Sequence, residues 1–131
     1  MTTEGLWAET WQPGNRLGFV TSISSACFLA VFFWWVGIID TGATITSLSA
    51  IEVVVSMGFG LLLGSGALAI HARAGWRDRW RTSMRLRAIV AAPLVVVIGA
   101  LLIFSPPVAS LTFAVMANIF VPGRTYLYLT A

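Results

Sequence analysis

Residues 17–39 run for 23 positions without a charge (LGFVTSISSACFLAVFFWWVGII). A hydrocarbon core of about 30 Å takes roughly 20 helical residues at about 1.5 Å each, so such a stretch has one stable home, a helix that crosses a bilayer. Two further long apolar runs follow at 50–72, where Glu52 is the one charge, and at 88–104, and a shorter one at 108–121. A water-facing surface cannot be built from the remainder: 10% of the 131 residues are charged, against about 25% in soluble domains, and mean hydropathy is +0.89. One cysteine, Cys27, excludes a disulfide scaffold, and the apolar content excludes disorder. The expected fold is an all-α integral membrane protein, a single domain folded as a small antiparallel four-helix transmembrane bundle with short cytoplasmic interfacial helices.

The boundaries follow from charges and helix signals. Span one, 17–39, ends at the turn-forming Asp40-Thr41-Gly42, which opens an outer loop at 40–49. Glu52 decides where span two begins, because a carboxylate deep in the bilayer costs several kcal/mol, about 2.5–3.5 on insertion scales for the related Asp. Ser49-Ala50-Ile51-Glu52 fits a capping box, which places Ser49 as N-cap, Glu52 in the first turn and the span at 50–72. A functional intramembrane acid is the other reading of Glu52. Span three, 88–104, carries Pro93 about one turn in, where a kink is expected. A proline turn at 105–107 leads to 108–131, whose apolar run of 14 residues covers only about 21 Å. The fourth helix is therefore expected to be short or kinked, bending through Pro122-Gly123, with a re-entrant hairpin as the alternative. Tyr126 and Tyr128 then supply aromatic anchors.

Every basic residue is an arginine: Arg16, Arg73, Arg77, Arg79, Arg81, Arg85, Arg87 and Arg124. In a four-span arrangement all eight fall on the side that holds the N-terminus, the loop at 73–87 and the C-terminus, while the other side holds Asp40 and Glu52. The positive-inside rule makes that side cytoplasmic, in a cell membrane or the internal membrane of a virion. A cleaved signal peptide is not expected, because residues 1–16 contain Glu4 and Glu9 and lack a basic leading region.

Two segments are expected to lie in the cytoplasmic interface. In residues 1–16, Leu6, Trp7, Thr10 and Trp11 share a helical face, and Pro13-Gly14-Asn15 stops it. In residues 73–87, Trp76, Trp80, Ser83 and Met84 gather on one side of a helical wheel, and Arg77, Arg81 and Arg85 on the other. Trp7, Trp11, Arg73, Trp76, Arg77, Trp80, Arg81 and Arg85 are thus the expected contacts with anionic lipid or a partner surface, each arginine near such lipid contributing about 1 kcal/mol. Nucleic acid is not expected, since the arginines are tethered between two spans with no binding fold around them.

Within the bilayer, Gly18, Ser22, Ala26 and Ala30 recur every four residues in span one, and span two carries Ser56, Gly58, Gly60, Gly64, Ser65 and Gly66. Such small-residue ridges let backbones approach closely, and they predict packing between spans one and two. Bulky residues, among them Phe28, Phe32, Phe33, Trp34 and Trp35, are left for lipid, another subunit or a second copy in a homo-oligomer. Asn118 is expected to hydrogen-bond across helices, and Thr21, Ser22, Ser24 and Ser25 to bond back to their own helix.

Convergent titratable groups are scarce. His71 is the single histidine, and no nucleophile triad, metal-ligand pattern or phosphate loop is present. Neither catalysis nor a cofactor or metal is expected. His71, Gly75 and Arg77 resemble, over seven residues, the H-x-x-x-G-x-R run of the haem-carrying membrane anchors of succinate dehydrogenases. Span one has no equivalent of the His-Arg-x-Ser/Thr-Gly element those anchors use, and no residue role is carried over. The expected function is that of a non-catalytic accessory or structural subunit bound to other membrane protein subunits. The alternative is a small oligomeric transporter or channel. Small four-helix exporters resemble this chain in size, but they rely on a carboxylate in the first span, which is absent here. A pore-forming lysis protein and a redox subunit holding haem or quinone through His71 are lesser alternatives.

Overall fold

The computed structural model describes residues 11–39, 42 and 48–131. Among these it is helical, with no strand. Helix α1 (Arg16–Trp34) is capped by Asn15, whose side chain accepts from the Gly18 N–H at 2.8 Å, and it continues into a π-helical turn at Trp35–Ile39. Helix α2 (Ala50–Ala72) starts with the expected capping box: the Glu52 N–H donates to Ser49 Oγ at 3.2 Å and the Ser49 N–H to Glu52 Oε1 at 3.3 Å. After it come α3 (Ala74–Thr82), α4 (Met84–Phe104) and α5 (Pro106–Thr130). Arg16–Ile39, Ala50–Ala72, Met84–Phe104 and Pro106–Thr130 are each long and apolar enough to cross a membrane.

Three expectations are corrected. The segment 73–87 is not one amphipathic helix. Ser83 takes an extended conformation and its hydroxyl accepts from the Leu86 N–H at 3.1 Å, so it ends α3 and N-caps α4. The third long helix therefore begins at Met84 rather than Ala88 and carries Arg85 and Arg87 in its first turn.

The fourth helix is neither short nor re-entrant, since α5 runs unbroken for 25 residues through Pro122. Pro106 and Pro107 occupy its first positions, where a missing N–H costs nothing. Pro122 removes one bond to the preceding turn, and packing beyond it holds the helix together. Gly123 lies against Leu68, and Tyr128 stacks on Phe19 with ring centroids 4.4 Å apart.

The small-residue ridges of spans one and two do not meet each other. Both approach α5, which packs most extensively against α2 and next against α1. Residues Gly60, Gly64 and Leu68 of α2 meet Val115, Ile119 and Gly123 of α5 in rising order. Along α1 the order is reversed, with Phe33 stacked on Phe113 at 4.0 Å and Phe19 on Tyr128. The core is accordingly the inner face of α5 (Ala109, Phe113, Met116, Phe120) together with Ala26 and Phe33. Of the ridge residues, Gly18, Ala26, Ser56, Gly60 and Gly64 are buried, Ser22 and Ala30 are half-buried, and Gly58, Ser65 and Gly66 are exposed. Helix α4 is peripheral; no residue of it is buried, and its main contacts are with α5 and α3.

The α2–α5 approach is close enough to exclude a side chain. A Cβ on Gly60 would sit 2.5 Å from the Thr112 carbonyl oxygen and 2.8 Å from Val115 Cβ, whereas one on Gly58 meets nothing within 4 Å. Gly60→Ala is expected to destabilise the protein by about 1–3 kcal/mol through overpacking, and Gly58→Ala to be neutral or slightly stabilising. Thermal unfolding in mild detergent measures the difference; equal melting temperatures for the two variants would refute the α2–α5 packing.

Candidate functional site

One end of the molecule gathers the start of α1, the end of α2, α3 and the end of α5, and two arginines there reach across to the segment before α1. His71 sits one residue before the end of α2. Its Nδ1 is 2.8 Å from the Ala67 carbonyl oxygen; a carbonyl only accepts, so Nδ1 carries the proton, and in the neutral ring Nε2 keeps its lone pair. Trp11 stacks on the imidazole (5.3 Å between centroids, 26° between planes), and Phe120 of α5 meets it edge-on at 5.7 Å.

Two arginines close this end from inside. Arg77, 8% exposed, donates through Nη1 to the carbonyls of His71 (3.3 Å) and Trp11 (3.5 Å). Arg124, fully buried, donates through Nη1 to the Pro13 carbonyl at 2.8 Å, and its guanidinium lies 5.8 Å from the Phe19 ring centroid. The reason is local. The last carbonyls of α2 lack intrahelical partners and carry the negative end of the helix dipole, which suits a cation. Both side chains also tie the segment before α1 to the bundle. Arg77 Nε and Arg124 Nε and Nη2 are buried without a hydrogen-bond partner.

A cavity of about 320 Å³ opens beside this cluster, with walls that include Trp11, Ser22, Ser25, His71 and Phe120. A second cavity, of about 550 Å³ and almost wholly apolar, lies among all four long helices, lined by side chains such as Leu63, Leu94, Ile98 and Phe113. Leu29, Ala67 and Met116 line both.

The other expected contact residues are placed variously. Trp76 is exposed, with the Arg73 guanidinium 4.8 Å from its ring centroid; Trp80 is half-buried and Arg85 exposed. Arg81 pairs with Asp78 at 3.7 Å, the only ion pair among the described residues. Arg77 is turned inward, away from lipid, and Trp11 is engaged with His71 rather than free for a partner. Trp7 and the expected helix around it lie outside the described residues. Asn118 bonds back to the Ala114 carbonyl at 2.8 Å instead of across helices. Thr21 bonds back as expected, but Ser22, Ser24 and Ser25 do not, and none of the three hydroxyls has a hydrogen-bond partner. No group of three or more potential metal ligands forms among the described residues.

Arg124 is the residue that the sequence reading treated only as a topology marker. Its signal was available: Ala109, Phe113, Met116, Phe120 and Arg124 form one helical stripe once the helix is continued through Pro122.

Arg124→Met, which keeps length but removes the donors, is expected to loosen residues 11–15. A hydrogen bond from a charged donor is worth about 1.5–3 kcal/mol, so amide exchange there should quicken at least tenfold, while Arg85→Met leaves it unchanged. Unaltered protection in Arg124→Met would refute the anchoring role.

No protein-family model, curated protein or solved structure matches this chain.

Proposed function

We propose that this chain is a non-catalytic accessory subunit of a larger membrane assembly, such as an energy-transducing complex or a virion membrane. It crosses the bilayer four times in alternating directions, with the arginine-rich end and both termini on the cytoplasmic side. The opposite order of contacts that α1 and α2 make along α5 supports the alternation, and the one-sided arginines support the orientation. Exposed arginines such as Arg79 and Arg85 suit contact with anionic lipid at that face.

The observation that carries the reading is the state of α4. In a bilayer, lipid tails are as apolar as leucine, so a helix is held by packing and not by hydrophobic transfer. Helix α4 buries no residue, and Val96 and Phe104 are 70% and 86% exposed. A span so lightly held within its own chain gains its packing from helices of another subunit. The reading of Glu52 as a functional intramembrane acid, which would favour the transporter alternative, is not the one its contacts support: Glu52 caps α2 and its Oε2 accepts from the Ser105 hydroxyl at 2.8 Å.

Two experiments test this. A photo-reactive side chain in place of Val96, activated in native membranes, is expected to give a discrete adduct with a different protein. Lipid adducts alone would overturn the proposal, and a ladder of multiples of the chain's own mass would favour the oligomeric transporter or channel instead. Single cysteines at Thr44 and Thr82, in a Cys27→Ser background, are expected to label from opposite sides of the membrane; labelling from one side refutes the topology.

A further inference from the structure

The paired cavities have a feature that partner binding does not explain. Half-buried Ser22 and exposed Ser25 line the smaller one, and their hydroxyls make no hydrogen bond. Along the helix they lie about 9 and 14 Å from Arg16, well below the helix end. Lipid tails offer a hydroxyl nothing at that depth, and an unbonded polar group there costs free energy. A serine in a transmembrane helix ordinarily bonds back to its own backbone, as Thr21 does here. Ser24 and Ser65, on exposed helix faces outside both cavities, also make no hydrogen bond; what sets Ser22 and Ser25 apart is that their two unbonded donors share one cavity wall, where an acceptor can meet them.

The rest of the site narrows that acceptor. No charged side chain lines either cavity, and a charged head so far below the helix end would forfeit its hydration. The Arg77 and Arg124 guanidinium groups line neither cavity but lie within electrostatic reach of His71, so the field at this end favours the negative end of a dipole, an oxygen. The Trp11–His71 stack gives the cavity a flat aromatic wall. Beyond Leu29 and Met116 the apolar cavity of about 550 Å³ continues, and both volumes fall within the roughly 300–1,000 Å³ typical of small-molecule sites.

We infer that the cleft between α1, α2, α4 and α5 binds an uncharged amphiphile of the bilayer. Its head, bearing carbonyl oxygens, accepts from Ser22 and Ser25 beside His71, and its tail lies in the apolar cavity. The site is independent of the outward face of α4 used above, so either reading can fail alone. The same head chemistry comes from two sources, a flat quinone ring or the ester of a neutral glyceride.

The test uses the full chain in nanodiscs of zwitterionic lipid, with a decyl-substituted benzoquinone as probe, read by quenching of tryptophan fluorescence, and monoolein as competitor. Wild-type protein is expected to bind the quinone saturably. Ser22→Ala/Ser25→Ala should weaken binding about tenfold, the loss expected for two hydrogen bonds. Leu29→Trp, which blocks the junction of the two cavities at a partly exposed position, should abolish it, with helicity and melting unchanged in both variants. Saturable quinone binding that monoolein leaves intact assigns the head to a ring, and displacement by monoolein assigns it to a glyceride ester. Absence of saturable binding, equal binding by all variants, or displacement only by anionic phosphatidylglycerol would overturn the proposal.

Discussion

Inside a bilayer, apolar side chains gain little by exchanging lipid for protein, and helices stay together only where their surfaces approach closely enough for dispersion and backbone contacts to accumulate. In this protein that approach is made on α5. Ser56, Gly60 and Gly64 form the buried edge of α2, Gly18, Ala26 and Gly37 are buried on the α1 side, and α5 lies between the two helices. Gly37 sits against Ser110 and Pro106, and the Ser110 hydroxyl donates to the Phe33 carbonyl at the same place, joining the π-helical end of α1 to the start of α5. Everything else is arranged around this three-helix contact. Helix α4, which no comparable ridge receives, stays at the edge, and the cleft beside it remains open.

The arginine-rich end obeys a second constraint. Cations are expensive inside a bundle unless something accepts from them. Here backbone carbonyls do so: those of His71 and Trp11 for Arg77, and that of Pro13 for Arg124. Because α2 and α5 both end on this side, their dipoles favour positive charge in the same region. Two of the arginines thus fasten the segment before α1 over the end of the bundle. This arrangement also brings Trp11 onto His71 and so forms the aromatic wall of the smaller cavity.

Much of this was legible in the residues. Four apolar stretches bounded by prolines, serines and charges are a local property of the chain, and hydrocarbon thickness turns them into four long helices with little freedom. The Ser49–Glu52 cap is equally local, because its donors and acceptors lie within one turn, and it appears as expected. The boundary at Met84 is less legible, because Ser83 fits the face of a single helix over 73–87 as well as an N-cap, and only the structure shows its hydroxyl accepting from the Leu86 N–H.

What the sequence by itself determined is therefore the number of long apolar helices and where most of them begin, because each depends on neighbours along the chain or on transfer between water and lipid. Tertiary structure alone decided that the stretch with the shortest apolar run becomes the central helix. Pro122 argues locally for a break, and only contacts from distant residues, Leu68 on Gly123, Pro13 on Arg124 and Phe19 on Tyr128, offset the lost hydrogen bond and carry α5 to Thr130. Small-residue ridges state that a close approach will occur but not to which helix, because a ridge of glycines fits any surface that can reach it. The partner was settled by the shape of α5, whose inner face presents Thr112, Val115, Met116 and Ile119 to the α2 ridge at the required spacing.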